Sequence, residues 1–163
     1  MACLETLTAY LQSNSIPFTI QHHQAAFTAR EVAAASHLPA ILTTKVVIVS
    51  ADDKLVMLVL PAAYRVDLSR IYPLLGAHFV RLADERDLAA TFPDCAIGAM
   101  PPFGNLYGMP VYVDTKLAAQ TQMTFQPGSH TETMTIAYAD YARLVQPNVA
   151  DFAGELHELT TPA

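Results

Sequence analysis

The sequence predicts a single α+β domain built on a mixed sheet, and three observations carry that prediction. The chain is 163 residues long, the length of one ordinary domain. A hydrophobic fraction of 52% against 15% charged is enough to bury a core, which excludes disorder, collagen and coiled coil. Short stretches of helical periodicity alternate with β-branched apolar runs, and neither a repeat nor an interdomain linker interrupts them.

Each element has its own local cause. Leu4, Leu7 and Leu11 recur at helical spacing until Asn14 and Pro17 stop the first helix. Pro17 to Gln21 reads as a short strand. Thr28-Ala-Arg-Glu31 is a capping-box pattern that starts an alanine-rich helix running to about Ser36, before Pro39. Lys45 to Ser50 and Lys54 to Leu60 are apolar and rich in β-branched residues, and only Ala51-Asp52-Asp53 separates them. That pattern predicts a hairpin buried on both faces. Asp67 and Asp84 each start a short helix; the first ends by Gly76, with Pro73 disturbing it or marking an early end, and the second ends by Pro93. Met109 to Asp114, Gln122 to Gln126 and Glu132 to Tyr138 read as strands, and Asp140 to Val145 as a last helix. Residues 1–147 form the expected domain. Residues 148–163 are a tail, or a short docking helix that would present Val149, Phe152, Leu156 and Leu159 on one face.

Charge and cysteine content narrow the function. With 9 Lys+Arg against 15 Asp+Glu the net charge is -6, the wrong sign for a protein that wraps DNA through many phosphate contacts. The longest apolar runs, 46–49 and 55–63, are far shorter than the roughly 20 residues that cross a bilayer. The N-terminus lacks a basic start and reads as an amphipathic helix, so the expectation is a soluble cytoplasmic protein. Two cysteines are too few for a disulfide framework or a thiolate zinc site. Cys95, set in an apolar run, reads as a buried structural thiol.

Few residues suggest chemistry. Lys45 opens a strongly apolar strand in a chain with only three lysines, where an ammonium can face a phosphate or an oxyanion. From this residue alone, a solvated strand-end lysine is the simpler account. In 98–110, GAMPPFGNLYGMP, glycines permit close backbone approach and prolines stiffen the loop, which suits a main-chain binding site or a tight connection equally well. His130 lies in a Gly128-Ser129-His130 turn, where it can carry a proton or simply be solvated. His22, His23, His37, His78 and His157 show no metal-ligand spacing, and there is no nucleophile elbow, P-loop or dinucleotide fingerprint.

In order and spacing, these segments resemble the YbaK/prolyl-tRNA-synthetase-associated editing domain family. The resemblance spans Gln21 to about Val145 and leaves the tail uncovered. It rests on HHQAAFTAREVA, Lys45 with KVVIVS, VLPAAYRVDLSRIYPLLGAHFVRLADERDL, the Gly98-to-Pro102 match to a Gly-x-x-x-Pro loop, VYVDTKL, and PGSH with ARLV. It implies a mixed-sheet, pseudo-barrel core with surrounding helices, and a free-standing deacylase that hydrolyses the ester of a mischarged tRNA. The expected substrate is tRNA(Pro) carrying a small non-cognate amino acid, presented by its 3′ end.

No metal or organic cofactor is implied, and prolyl-tRNA synthetase is the implied protein partner. Lys45 and His130 would be catalytic, with Lys45 near the terminal adenosine and the ester and the substrate's free ribose hydroxyl helping to activate water. Substrate contacts would come from Gly98, Ala99, Met100, Pro101, Pro102, Phe103 and Gly104, with Thr28, His22, Gly128 and Ser129 beside them. Met100 and Phe103 would narrow the pocket, and Lys54, Arg65 and Arg70 would join Lys45 in a positive rim. Asn105-Leu106-Tyr107 stands where the cysteinyl-specific branch carries basic residues, which argues against cysteine as the substrate. The competing readings are a catalytically silent module that binds aminoacyl ends or a synthetase, and a metal hydrolase using His22, His23 and His130.

Overall fold

The computed structural model describes residues 2–156. Helix α1 (Cys3–Ser13) buries Cys3, Leu7 and Leu11 on one face. Strand β1 (Thr19–His22) follows, and then α2 (Ala29–Ser36), capped by Thr28, whose hydroxyl oxygen accepts from Glu31 N at 3.1 Å. The return bond of a capping box is not made; the Thr28 hydroxyl lies 3.4 Å from the Glu31 carboxylate instead.

The predicted hairpin is β2 (Thr44–Ala51) with β3 (Lys54–Pro61), antiparallel from Thr44↔Pro61 to Ala51↔Lys54. Asp52 and Asp53 turn it with φ of 49° and 68°, a left-handed pair that suits the twist of a tight hairpin. Two short strands were not foreseen, β4 (Tyr64–Val66) and β5 (Val80–Leu82). The helices α3 (Leu68–Leu75) and α4 (Glu85–Thr91) carry Asp67 and Asp84 as N-caps. Pro73 lies inside α3, which nevertheless runs on to a left-handed Gly76.

The rest of the chain contributes β6 (Val111–Asp114), α5 (Thr115–Ala118), β7 (Gln122–Phe125), β8 (Glu132–Ala137) and α6 (Tyr138–Val145). The expected docking helix is replaced by two strands, β9 (Asn148–Ala150) and β10 (Ala153–Leu156). The cause is a long-range contact: Asp114 Oδ1 accepts from Phe152 N and Ala153 N at 2.9 and 2.7 Å, which pins the chain between the two strands. Phe152 is buried, whereas Val149 and Leu156 are exposed, so these residues share no helical face; Leu159 lies outside the described residues.

The main sheet is mixed, with order β5-β2-β3-β6-β9; its β3–β6 and β6–β9 pairs are parallel. A second sheet, β1-β8-β7, is antiparallel, and β10 pairs with β4. Along β2, Val46 and Ile48 enter one core while Val47 and Val49 enter another, so the sheet is buried on both sides as the continuous apolar runs require. The larger core lies between the two main sheets and collects Leu7, Leu11, Phe103, Phe125 and Tyr141. A single parallel bridge, Thr43↔Thr124, joins the two sheets and closes one side of the pseudo-barrel. None of the described helices is long and apolar enough to cross a membrane.

Candidate active site

A cavity of about 200 Å³ opens at the seam where the two sheets meet. The start of β2 supplies Thr43, Thr44, Lys45 and Val46, and the end of β7 supplies Phe125 and Gln126. The N-terminus of α2 adds Phe27, Thr28 and Val32, and Ala62, Gly98 and Met100 complete the lining. Among the described residues the lining contains no carboxylate.

Lys45 is half-buried. Among the described residues it forms no ion pair. Burial holds its pKa below the usual lysine value, and the Arg65 guanidinium lowers it further. The rim expected from Lys45, Lys54, Arg65 and Arg70 is only partly assembled. Lys54 pairs with Ala51 at the far end of the hairpin, and Arg70 is held by Asp67 and Asp151 at 3.2 and 3.1 Å.

The glycine-proline segment divides in two. Gly98, at φ +89°, and Met100 line the cavity, and Gly98 N donates to Met100 Sδ at 3.2 Å. Ala99, Pro101, Pro102, Phe103 and Gly104 are buried and do not line it. Phe103 packs edge-on against Phe125 and Tyr141, Pro102 O accepts from the Tyr141 hydroxyl at 2.6 Å, and a Cβ on Gly104 would come within 2.8 Å of Val111 Cγ2. Only Met100 of the expected Met100–Phe103 pair narrows the pocket.

His130 sits behind the cavity wall. Its Nε2 lies 3.0 Å from Ile97 O and its Nδ1 3.3 Å from Ala26 O, while its ring stacks at 4.4 Å on the exposed Phe27. It therefore bridges the backbone before Gly98 to the backbone before Phe27. A Cβ on Gly98 would lie 3.5 Å from His130 Cε1. Gly128 packs on Cys3 with φ +111° and its carbonyl accepts from Ala96 N, so it steadies the same segment from behind. Ser129 donates to Glu132 at 2.8 Å, and His22, exposed, faces the same carboxylate at 3.6 Å; neither reaches the cavity.

Among the described residues, His22, His23 and His130 form no ligand cluster. The group that does come together is Cys3, Asp94 and Cys95. Its two sulfurs are bonded to each other, so the buried thiol expected at Cys95 is half of a disulfide. The bond is possible because α1 folds back on this segment, with Cys3 N donating to Asp94 O at 3.1 Å.

Phe27, Val32, Thr43, Thr44, Val46, Ala62, Phe125 and Gln126 were missed in the sequence. Their one local sign was the threonine pair before Lys45; the rest depends on which elements meet at the seam.

Comparison with known proteins follows the same lines. No curated protein sequence matches the chain significantly. Among solved structures, the crystal structure of a candidate trans-editing enzyme for prolyl tRNA synthetase superposes with a TM-score of 0.83 at 19% identity, covering 95% of this chain and 99% of that one. A protein described only as hypothetical gives 0.82 at 18% identity, covering 91% and 99%. A scaffold used for computational epitope grafting gives 0.83 at 19%, covering 94% and 98%. At these identities the likeness concerns the fold. The profile of the aminoacyl-tRNA editing domain matches residues 23–144, which take in the whole cavity, and the chain belongs to that family.

Proposed function

We propose that the protein is a trans-editing deacylase that hydrolyses the ester of mischarged tRNA, with tRNA(Pro) carrying a small non-cognate amino acid as substrate. One observation carries the reading: a small cavity at the sheet seam that, among the described residues, has no carboxylate in its lining, with the half-buried Lys45, in no ion pair there, in its wall. An aminoacyl ester is already activated, so positioning and electrostatic stabilisation suffice without a triad or a metal. Water attacks the carbonyl carbon, the Lys45 ammonium stabilises the oxyanion, and the free ribose hydroxyl of the substrate orients the water. The ribose oxygen leaves with a proton, releasing the free amino acid and tRNA.

His130 serves as a positioning residue in this scheme, since both of its ring nitrogens face backbone carbonyls. Phe27, 63% exposed beside the cavity, offers a face on which the terminal adenine stacks. Only the 3′ end enters, which makes a net charge of -6 tolerable and leaves room for a synthetase partner to hold the body of the tRNA.

The test is deacylation of a panel of mischarged tRNAs by wild type and Lys45→Ala. Turnover of at least one substrate is expected, with a loss of about 10²-fold or more in the variant. A folded wild type that turns over none of them would leave the silent binding module in its place.

A further inference from the structure

Thr44 opens β2 next to Lys45 and lines the cavity, yet it is only 5% exposed and its hydroxyl has no hydrogen-bond partner among the described residues. Buried hydroxyls are almost always paired, with protein or with ordered water. The neighbouring threonines show the contrast. Thr43 Oγ1 donates to Pro39 O at 3.3 Å, and Thr28 Oγ1 accepts from Glu31 N at 3.1 Å.

Thr44 shares its side of β2 with Val46, and Val32, Val46, Ala62, Met100 and Phe125 are the aliphatic and aromatic neighbours it has in the lining. Among the described residues, no acidic side chain and no arginine is present there. Rotation about the Thr44 χ1 exchanges its hydroxyl and methyl without moving backbone, so the hydroxyl can turn toward an occupant.

We propose that Thr44 reads the side chain of the aminoacyl group, and that the preferred substrate is tRNA mischarged with a small hydroxyl-bearing amino acid, seryl or threonyl, ahead of alanyl. The inference rests on the deacylase reading above. A substrate hydroxyl both donates and accepts, so it pairs with Thr44 whichever role the threonine takes. A methyl leaves the buried hydroxyl unpaired. Sites built around a buried hydroxyl discriminate against the analogue lacking it far more strongly than an apolar wall discriminates by one methylene. The α-amino group and the ribose hydroxyl could also meet Thr44, but every substrate carries those, so a substrate comparison separates the cases.

The experiment is single-turnover deacylation of seryl-, threonyl- and alanyl-tRNA(Pro) by wild type, Thr44→Val and Thr44→Ser, with melting curves to show that each variant is folded. Wild type is expected to favour a hydroxyl-bearing substrate over alanyl by about 10-fold or more. Thr44→Val, nearly isosteric, is expected to lose that preference by slowing only the hydroxyl-bearing substrates, and Thr44→Ser to restore it. An equal loss on all three substrates, or an alanyl preference in wild type, would overturn the role. Binding of non-hydrolysable seryl- and alanyl-adenosine amides by the same proteins gives an independent reading. Absence of turnover would end the deacylase proposal, whereas equal affinity of wild type for the two amides would end this one.

Discussion

Lys45 and Arg65 are two cations near one small cavity, and their coupling has a measurable consequence. Arg65 is exposed and, among the described residues, in no ion pair, and its charge helps to hold the Lys45 pKa down. In the proposed reaction the ammonium is the active form, so activity falls as pH rises through the Lys45 pKa. Removing the Arg65 charge raises that pKa. The alkaline limb of the deacylation profile should therefore move to higher pH in Arg65→Gln and stay in place in Arg65→Lys, after subtraction of spontaneous ester hydrolysis. An unmoved limb in Arg65→Gln would mean that the limb does not report Lys45. Lys45 and Thr28 were legible as single residues because each breaks a local pattern, one as a cation opening an apolar run and the other as a cap before an alanine-rich helix. Thr44 was not, because an unpaired buried hydroxyl becomes visible only once the groups around it are in place.

Among the elements, the segment from Gly98 to Gly104 looked in sequence like one stiff binding loop and is in fact two pieces. Glycine and proline content reports what the backbone can do, whereas burial depends on what packs against it. Here α6 covers the second piece, with Tyr141 fully buried and its hydroxyl on Pro102 O at 2.6 Å. Tyr141→Phe removes the donor and strands that carbonyl, at a cost of about 1–3 kcal/mol. A urea titration should show the loss as a lower midpoint with an unchanged slope. Because Pro102 does not line the cavity, KM and kcat for deacylation should stay within about twofold of wild type at 25 °C. A raised KM would show instead that this half of the segment does hold the aminoacyl group. The β2–β3 hairpin and the two aspartate-capped helices were legible because their signals are local. Strands β4, β5, β9 and β10 carry three or four residues each, too few for a period-2 pattern to register; β5 and β9 extend the edges of the main sheet, and β4 and β10 pair with each other.

For the molecule as a whole, the feature that sequence reasoning missed most completely is the Cys3–Cys95 bond, across a separation of 92 residues. Two cysteines so far apart carry no pairing signal, and only the packing of Leu7 and Leu11 into the core brings α1 against the segment before Gly98. The bond closes residues 3–95, with strands β1 to β5, into one loop. In the chain-entropy picture a closure of that length stabilises by at most about 4–5 kcal/mol, because the reduced unfolded chain gains the most freedom. It also fixes the approach to the cavity: Cys95 lies three positions before Gly98, Ala96 N is held by Gly128 O, and Gly128 rests on Cys3. A thiol reductant should therefore lower the melting temperature of the wild type by up to roughly 20 °C, at about 2–4 °C per kcal/mol for a chain of this size. It should leave Cys3→Ala/Cys95→Ala, already low, where it is. Deacylation by the reduced protein should also decline below the melting transition as the Gly98 segment loosens. Thiol titration of the folded wild type should find no free cysteine before reduction and both after it. Two free thiols at the outset, with a melting temperature indifferent to reductant, would show that the pair is joined in neither state, and that apolar packing alone holds α1 to the cavity wall.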